Sequence, residues 1–493
     1  MSFASATGIL LILYSLTTIF LVYRGAKSTK DIKDFALGKG FSPWVVGLSL
    51  AASITSAATF IINPGFVAVY GWSAFVAMSV VLPLGLFISL IILSKSFRKY
   101  GTKVKALTIA HWLGNRYNSR SFTYMMAVVS LLLITFIVLI CVGLTKVIAS
   151  ALQVGELPVL IVLVVFVFGY TMFGGANSMV YTNTIQAVLM AIVAIILLTS
   201  GLENFTDGIE GFWSKLDGID PLLTQTFNPK SPLFRDWFEV VFCNFVVGIA
   251  IVCQPHIITK SLMLKSEQDI NRYLFIAIAV EILFFAVLFV GFYARLQFPD
   301  LIVDQKAMKL DGILSTYVVK NFSIGVGILV VLGLISAGLS TLEGIIQSLS
   351  TTISNDIIAP MLRWNPGDKS VAITNKIVIV ILGVISIAFS YQQLLYPNLS
   401  VGIIAQNGVY AYFSAAFVPV LFGVFLKEPS KNAAFSAAIV SIIVHFSVYY
   451  GGLTSYTSGD VRNPAVAAAI AIIAALITGL AFQFSFKQTK TSL

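Results

Sequence analysis

The sequence predicts an all-α polytopic membrane protein with about 13 transmembrane helices, and three observations carry that prediction. Of 493 residues, 58% are hydrophobic and only 11% charged, and the mean hydropathy is +0.94; soluble domains run near half apolar and about a quarter charged. Apolar stretches long enough to cross a hydrocarbon core, about 20 residues each, recur from one end of the chain to the other. Lysines and arginines collect between alternate stretches, as they do at cytoplasmic helix ends.

Residues 4–23 form the first stretch. No basic residue precedes it, whereas a cleavable secretory signal carries one, so it reads as a retained span. Arg24, Lys27, Lys30, Lys33 and Lys39 follow, which places that loop in the cytoplasm and the N-terminus outside. Further spans are read at 44–70, 72–93, 121–152, 157–172, 178–201, 237–258, 273–296, 323–354, 377–391, 401–426, 433–450 and 465–484. From an outside start, this threading puts the basic groups at 95–120, 260–272, 363–376 and 427–431 inside, together with Lys487, Lys490 and the C-terminus. The longest polar intervals, 94–120, 202–235 and 299–320, are loop-sized. A single transmembrane domain over 1–493 is therefore expected, in a multi-pass protein of the cell membrane.

Several function classes drop out. The net charge of +10 is explained by insertion and by contact with anionic lipid, so nucleic acid is not an expected partner. Cys141, Cys243 and Cys253 all fall in apolar stretches, too few for a disulfide framework or a metal cluster. No loop gathers a His/Asp/Glu or Ser/His constellation, so no enzyme is expected.

Two spans depart from lipid-grade patterning. In the first, Ser49, Ser53, Thr55, Ser56 and Thr59 precede Asn63, Pro64 and Gly65. Pro and Gly loosen a helix, and freed carbonyls are tolerated in a membrane where they line a cavity or hold an ion; a Pro-kinked packing helix with back-bonded hydroxyls is the alternative. In the second, Ser336, Ser340, Glu343, Gln347, Ser350 and Ser354 fall on one helical stripe, opposite Leu339, Leu342, Ile346, Leu349, Ile353 and Ile357. A carboxylate at mid-membrane costs about 2.5–3.5 kcal/mol, so Glu343 should face protein or water. Hydroxyls beside a carboxylate, with no basic residue near in sequence, suit an oxygen-ligated hard cation; a structural pairing of Glu343 with another span is the alternative.

Five motifs in order resemble the sodium/solute symporter family, which includes sodium/proline, pantothenate, monocarboxylate, sialic acid and glucose symporters. They are DFALGKG (34–40), SAATFIINPG (56–65), FGGANSMVYTNTIQ (173–186), QPHIITK (254–260) and AGLSTLEG (337–344). The resemblance implies a LeuT-type core of two inverted repeats, 44–201 and 237–426, with peripheral helices at 4–23 and 433–484 and with the first span of each repeat broken. It implies sodium-coupled symport of a small organic solute. It also implies a sodium site built from the carbonyls of Ala52, Thr55 and Ala337 and the hydroxyls of Ser340 and Thr341.

One departure stands out. Where the family commonly has Tyr-Thr-Asp, this chain has Tyr181, Thr182 and Asn183. Glu343 stands where members with a second sodium carry a hydroxyl, so Glu343, Asn183 and Thr182 are expected at a second cation site or at the inward exit. For the solute, Ser56, Thr59, Asn244 and Gln406 form the expected polar set. Thr59, Ala58 and Met78 replace the polar and acidic groups of sugar-binding members, which disfavours a hexose. Gln254-Pro255-His256 is similar to the pantothenate and monocarboxylate branch, which favours a small carboxylate. Lys146 is expected to snorkel outward, His256 to pack at a cytoplasmic end, and Glu281 to be structural. A proton-coupled or sodium-independent carrier, in which Glu343 titrates, and a non-transporting membrane sensor are the competing readings.

Overall fold

Backbone hydrogen bonds cannot be left open in hydrocarbon, and the chain meets that demand with helices almost throughout. The computed structural model describes residues 3–38, 40–104, 106–303, 305–364, 369–396 and 401–491. Lys39 lies outside these residues, as do the side chains of Lys487 and Lys490. Among the described residues, 10 helices are long and apolar enough to cross a membrane, and two bent helix pairs raise the number of spans to 12. The bent pairs are Pro43–Ile54 with Ala58–Tyr70, at 55°, and Phe238–Ile251 with Pro255–Met263, at 58°. Short helices such as Ile109–Arg116 and Gly208–Ile219 cover the connections. One departure from all-α is a two-residue hairpin, Ile302–Val303 against Lys306–Ala307.

The count differs from the sequence expectation of about 13 for one reason. The stretches 157–172 and 178–201 are two helices that meet without a loop in a kink at Gly175, φ 57°, ψ −159°, and Glu156–Thr199 is counted there as one span.

The first break also lies elsewhere than the Pro-Gly pair suggested. Helix Pro43–Ile54 ends at Thr55, which is extended at φ −81°, ψ 100°. Pro64 instead lies inside helix Ala58–Tyr70, directly after the π-helical turn Ala58–Ile62, where the widened turn accommodates a residue that has no N–H.

Helix Ile324–Thr352 is the central post. Its hydroxyl stripe is buried, and so are Leu339, Leu342, Ile346 and Leu349 on the opposite side. That apolar stripe therefore packs on protein and not on lipid. Around it lie Glu156–Thr199, Ile134–Leu152 and Pro43–Ile54. Large apolar side chains left exposed, among them Leu16 and Phe20 on Phe3–Ala26 and Ile381 and Val384 on Lys369–Leu395, form the lipid-facing rim. Glycine permits a close crossing: a Cβ on Gly248 would sit 2.2 Å from the Leu82 carbonyl oxygen, and one on Gly85 would sit 2.5 Å from that of Phe245. Small residues let backbones approach where lipid gives no hydrophobic drive to pack.

Two charged residues show where their side chains go. Lys146 Nζ lies 3.6 Å from Oδ2 of Asp311, a residue of the polar interval 299–320. Lys260, counted above with the cytoplasmic basic groups, is 1% exposed.

Candidate functional site

The end of helix Pro43–Ile54 frees carbonyls that have no partner further along the helix. Helix Ile324–Thr352 supplies hydroxyls to them. Ser340 Oγ donates to Ala52 O at 2.6 Å and lies 3.0 Å from Ala337 O. Thr341 Oγ1 lies 3.1 Å from Ser53 O, 3.5 Å from Thr55 O and 3.5 Å from Ala337 O. All five atoms expected at the sodium site, from Ala52, Thr55, Ala337, Ser340 and Thr341, thus converge at one buried point. Neutral oxygens from two elements form the donor set of a hard monovalent cation, one that must be released again.

Glu281 is fully buried beside this cage and has a partner that sequence context did not reveal: Thr55 Oγ1 donates to its Oε2 at 2.7 Å. The bond fixes Thr55 as the chain leaves the helix and brings a carboxylate close to the carbonyl cage. Glu281→Gln keeps the shape and replaces the carboxyl group with an amide. The expected result is about tenfold weaker sodium binding, close to 1.4 kcal/mol. It is checked by the sodium dependence of the melting temperature in detergent; unchanged dependence refutes the role.

Glu343 lies further along the same helix and accepts three hydrogen bonds. Tyr170 Oη donates to Oε1 at 2.5 Å, Thr182 Oγ1 to Oε2 at 2.7 Å, and Gln186 Nε2 to Oε1 at 3.1 Å. In an unbroken helix Tyr170 and Thr182 would be about 18 Å apart along the axis. Both reach one carboxylate, so the run folds back at Gly175.

Asn183 belongs to the same cluster through a residue the sequence reading did not single out. Lys260 Nζ donates to Ser49 O at 2.8 Å and Ser49 Oγ at 2.6 Å. It also faces the Asn183 amide at 3.1 Å. An ammonium has no lone pair, so the amide atom it faces is oxygen. Asn183 Nδ2 then donates to Met179 O at 3.2 Å and Gln186 Oε1 at 3.0 Å.

A cavity of about 100 Å³ lies beside the cage. Ser56, Thr59 and Gln406 line it as expected, with Ala58 and Met78. Asn244 is not among its lining residues; its Nδ2 is spent on the Glu239 carbonyl of its own helix at 2.8 Å. The polar contribution from the second broken span comes instead from Gln254 and His256. Gln254 Oε1 and His256 Nδ1 are buried and make no hydrogen bond among the described residues. His256 therefore borders the cavity. It also borders a second cavity of about 20 Å³, lined by Gly344, Gln347 and Thr351.

Two broken spans and a hydroxyl-bearing central helix around a cavity in a helical membrane chain define a membrane transporter. The chain belongs to the sodium:solute symporter family, whose model matches residues 35–441. It is 25% identical over 431 residues to the sodium/pantothenate symporter of Escherichia coli, with 84% of each chain covered. It is 23% identical over 486 residues to the sodium/sialic acid symporter SiaT of Proteus mirabilis, covering 95% of this chain and 94% of that one. The high-affinity proline transporter PutP of Bacillus subtilis is 24% identical over 439 residues, covering 86% and 88%. Among solved structures, a substrate-bound, outward-open Na+-coupled sialic acid symporter superposes with a TM-score of 0.77 at 20% identity, over 97% of this chain and 96% of that one. These relatives are transporters and not enzymes, and sodium is the coupling ion that the family implies.

Proposed function

We propose that this protein carries a small organic carboxylate into the cell together with sodium, by alternating access. The observation that carries the reading is the junction of Ser340 and Thr341 with the carbonyls of Ala52, Thr55 and Ala337. Sodium held there ties helix Pro43–Ile54 to helix Ile324–Thr352 and favours the outward-open state. Solute in the adjoining cavity then permits the inward movement of the core, and the neutral cage releases the ion.

A carboxylate is supported by the relatives and by the cavity. Pantothenate, proline and sialic acid all bear one, and no other group is common to the three names. In the cavity, the hydroxyls of Ser56 and Thr59, the amide of Gln406 and the helix restart at Ala58 offer hydrogen bonds without a lysine or arginine. Glu343, Thr182 and Asn183 belong to a second cation position or to the inward exit in this reading.

The topology completes the proposal. Counting the Glu156–Thr199 run as two spans that reverse at Gly175 gives 13, with residues 44–201 and 237–426 as inverted repeats, the N-terminus outside and the C-terminus inside the cell membrane. Single cysteines at the exposed positions Gly155 and Glu203 are then expected to react with an impermeant thiol reagent from the same side; labelling from opposite sides refutes the reversal.

Uptake into proteoliposomes under an inward sodium gradient, screened over pantothenate, short monocarboxylates, proline and sugars, tests the function. Accumulation of a carboxylate that collapses without sodium is the expected result. Uptake that persists without sodium and follows the pH gradient selects proton coupling instead.

A further inference from the structure

Lys260 has no counterpart in the function as stated so far. It lies on the second limb of the second broken span, in Pro255–Met263, and its side chain is among the largest that are fully buried. A buried ammonium needs acceptors for its protons and an opposite charge within reach. Its acceptors are Ser49 O, Ser49 Oγ and Asn183 Oδ1. A main-chain carbonyl, a hydroxyl and an amide oxygen are the same kinds of ligand that a hard cation takes.

The shell adjoins the sodium cage. Ser49 lies in the helix that ends at the cage, one turn before Ser53. Ser53 Oγ donates to Asn183 Oδ1 at 2.9 Å, while the Ser53 carbonyl accepts from Thr341. The opposite charge is reached through two amides. Asn183 Nδ2 donates to Gln186 Oε1, and Gln186 Nε2 donates to Glu343 Oε1. Every bond in this chain runs in the direction from the ammonium to the carboxylate, which polarises the two amides toward both charges.

We propose that Lys260 is a tethered cation: its ammonium fills the cation position between Ser49, Asn183 and the Glu343 network, so that each transport cycle carries one sodium ion and no second. The inference rests on the sodium-coupled reading above. Lys260 and Glu343 cancel in net charge, so the cluster offers no residual attraction to a second free cation, and the fixed ammonium repels one. Asparagine at 183 fits this arrangement, since its oxygen accepts from the ammonium without adding a charge. The position stays filled throughout the cycle because this cation is covalently part of the chain.

Equilibrium binding of radioactive sodium to the purified full-length protein counts ions without requiring the solute. The wild-type protein is expected to saturate at one ion per chain, with a Hill coefficient of about 1. Lys260→Met empties the shell beside Glu343 and is expected to raise the count to two. Lys260→Gln, which keeps a polar head group and guards against a folding failure of the methionine variant, should also bind two. Lys260→Met/Glu343→Gln should return to one. Two ions per wild-type chain overturn the proposal, as does a single ion in either folded Lys260 variant. A wild-type chain that binds no sodium refutes the Ser340/Thr341 cage itself and the tethered cation with it.

Discussion

Ser340→Ala protein is expected to lose most of the stabilisation that sodium gives its parent. Ser340 Oγ is the hydroxyl that touches both sides of the cage, Ala52 O at 2.6 Å and Ala337 O at 3.0 Å. Its removal takes away one of five proposed ligands and leaves a methyl group facing the ion. A loss of about 100-fold in affinity is expected, near 2.7 kcal/mol. By linkage, sodium at about 100 times the parental Kd adds about 2.7 kcal/mol to stability, and after that loss the same concentration adds about 0.4 kcal/mol. The melting temperature without sodium should also fall, because the buried Ala52 carbonyl loses its hydroxyl donor at a cost of about 1–3 kcal/mol, so the sodium-dependent difference and not the absolute value is diagnostic. The readout is the difference in melting temperature with and without sodium, choline replacing it at constant ionic strength. A parental-size sodium shift in Ser340→Ala places the ion elsewhere, and a Thr341→Ala control then shows whether the whole cage is misassigned.

The difference between what was legible in the sequence and what was not follows the range over which each feature is set. The hydroxyl stripe of Ile324–Thr352 is a local period, so Ser340, Thr341 and Glu343 could be placed on one face before any contact was known. The partner of that stripe was legible only through the family motifs. The break in the first span was misplaced because a π-turn can carry Pro64 inside a helix without ending it, and the extended φ, ψ of Thr55 leaves no comparable mark in the sequence. Lys260 was misread because a charge count along the chain registers which side a loop favours and says nothing about depth. A hint was present, since it closes the apolar run of QPHIITK directly after the second break. Asn244 shows the reverse error: a polar residue in an apolar span looked like a solute contact and turned out to satisfy its own backbone. Glu281 finds Thr55 across 226 residues, and Glu343 finds its three donors across 157 to 173, separations at which a single sequence carries no signal.

Gly175→Val is expected to abolish assembly of the core. Gly175 has φ 57°, a region that β-branched residues enter only with strain of about 1–3 kcal/mol. Space is lacking as well: a Cβ there would meet Phe35 Cδ2 at 2.7 Å, Phe35 Cα at 2.8 Å and Phe35 O at 2.9 Å. Two of these are backbone atoms of helix Ile32–Leu37, which cannot swing aside as a side-chain tip can. Strain and overlap together should cost at least about 3 kcal/mol, a large part of the stability of an ordinary domain. The damage reaches the cluster around Glu343 because Tyr170 and Thr182 stand on opposite sides of the turn and grip the same carboxylate. If the limbs separate, that carboxylate loses donors from one limb and stays buried, which adds a penalty beyond the turn itself. Gly169→Ala is the control, since a Cβ at Gly169 meets nothing within 4 Å. It should raise helix propensity slightly and leave expression and melting temperature at or above those of the parent. Detergent-solubilised yield of monodisperse protein, compared between the two variants, is the measurement. A Gly175→Val protein that elutes and melts like the parent would show that the run does not need a left-handed turn at this point, and the fold-back that joins Tyr170 to Thr182 over Glu343 would have to be abandoned.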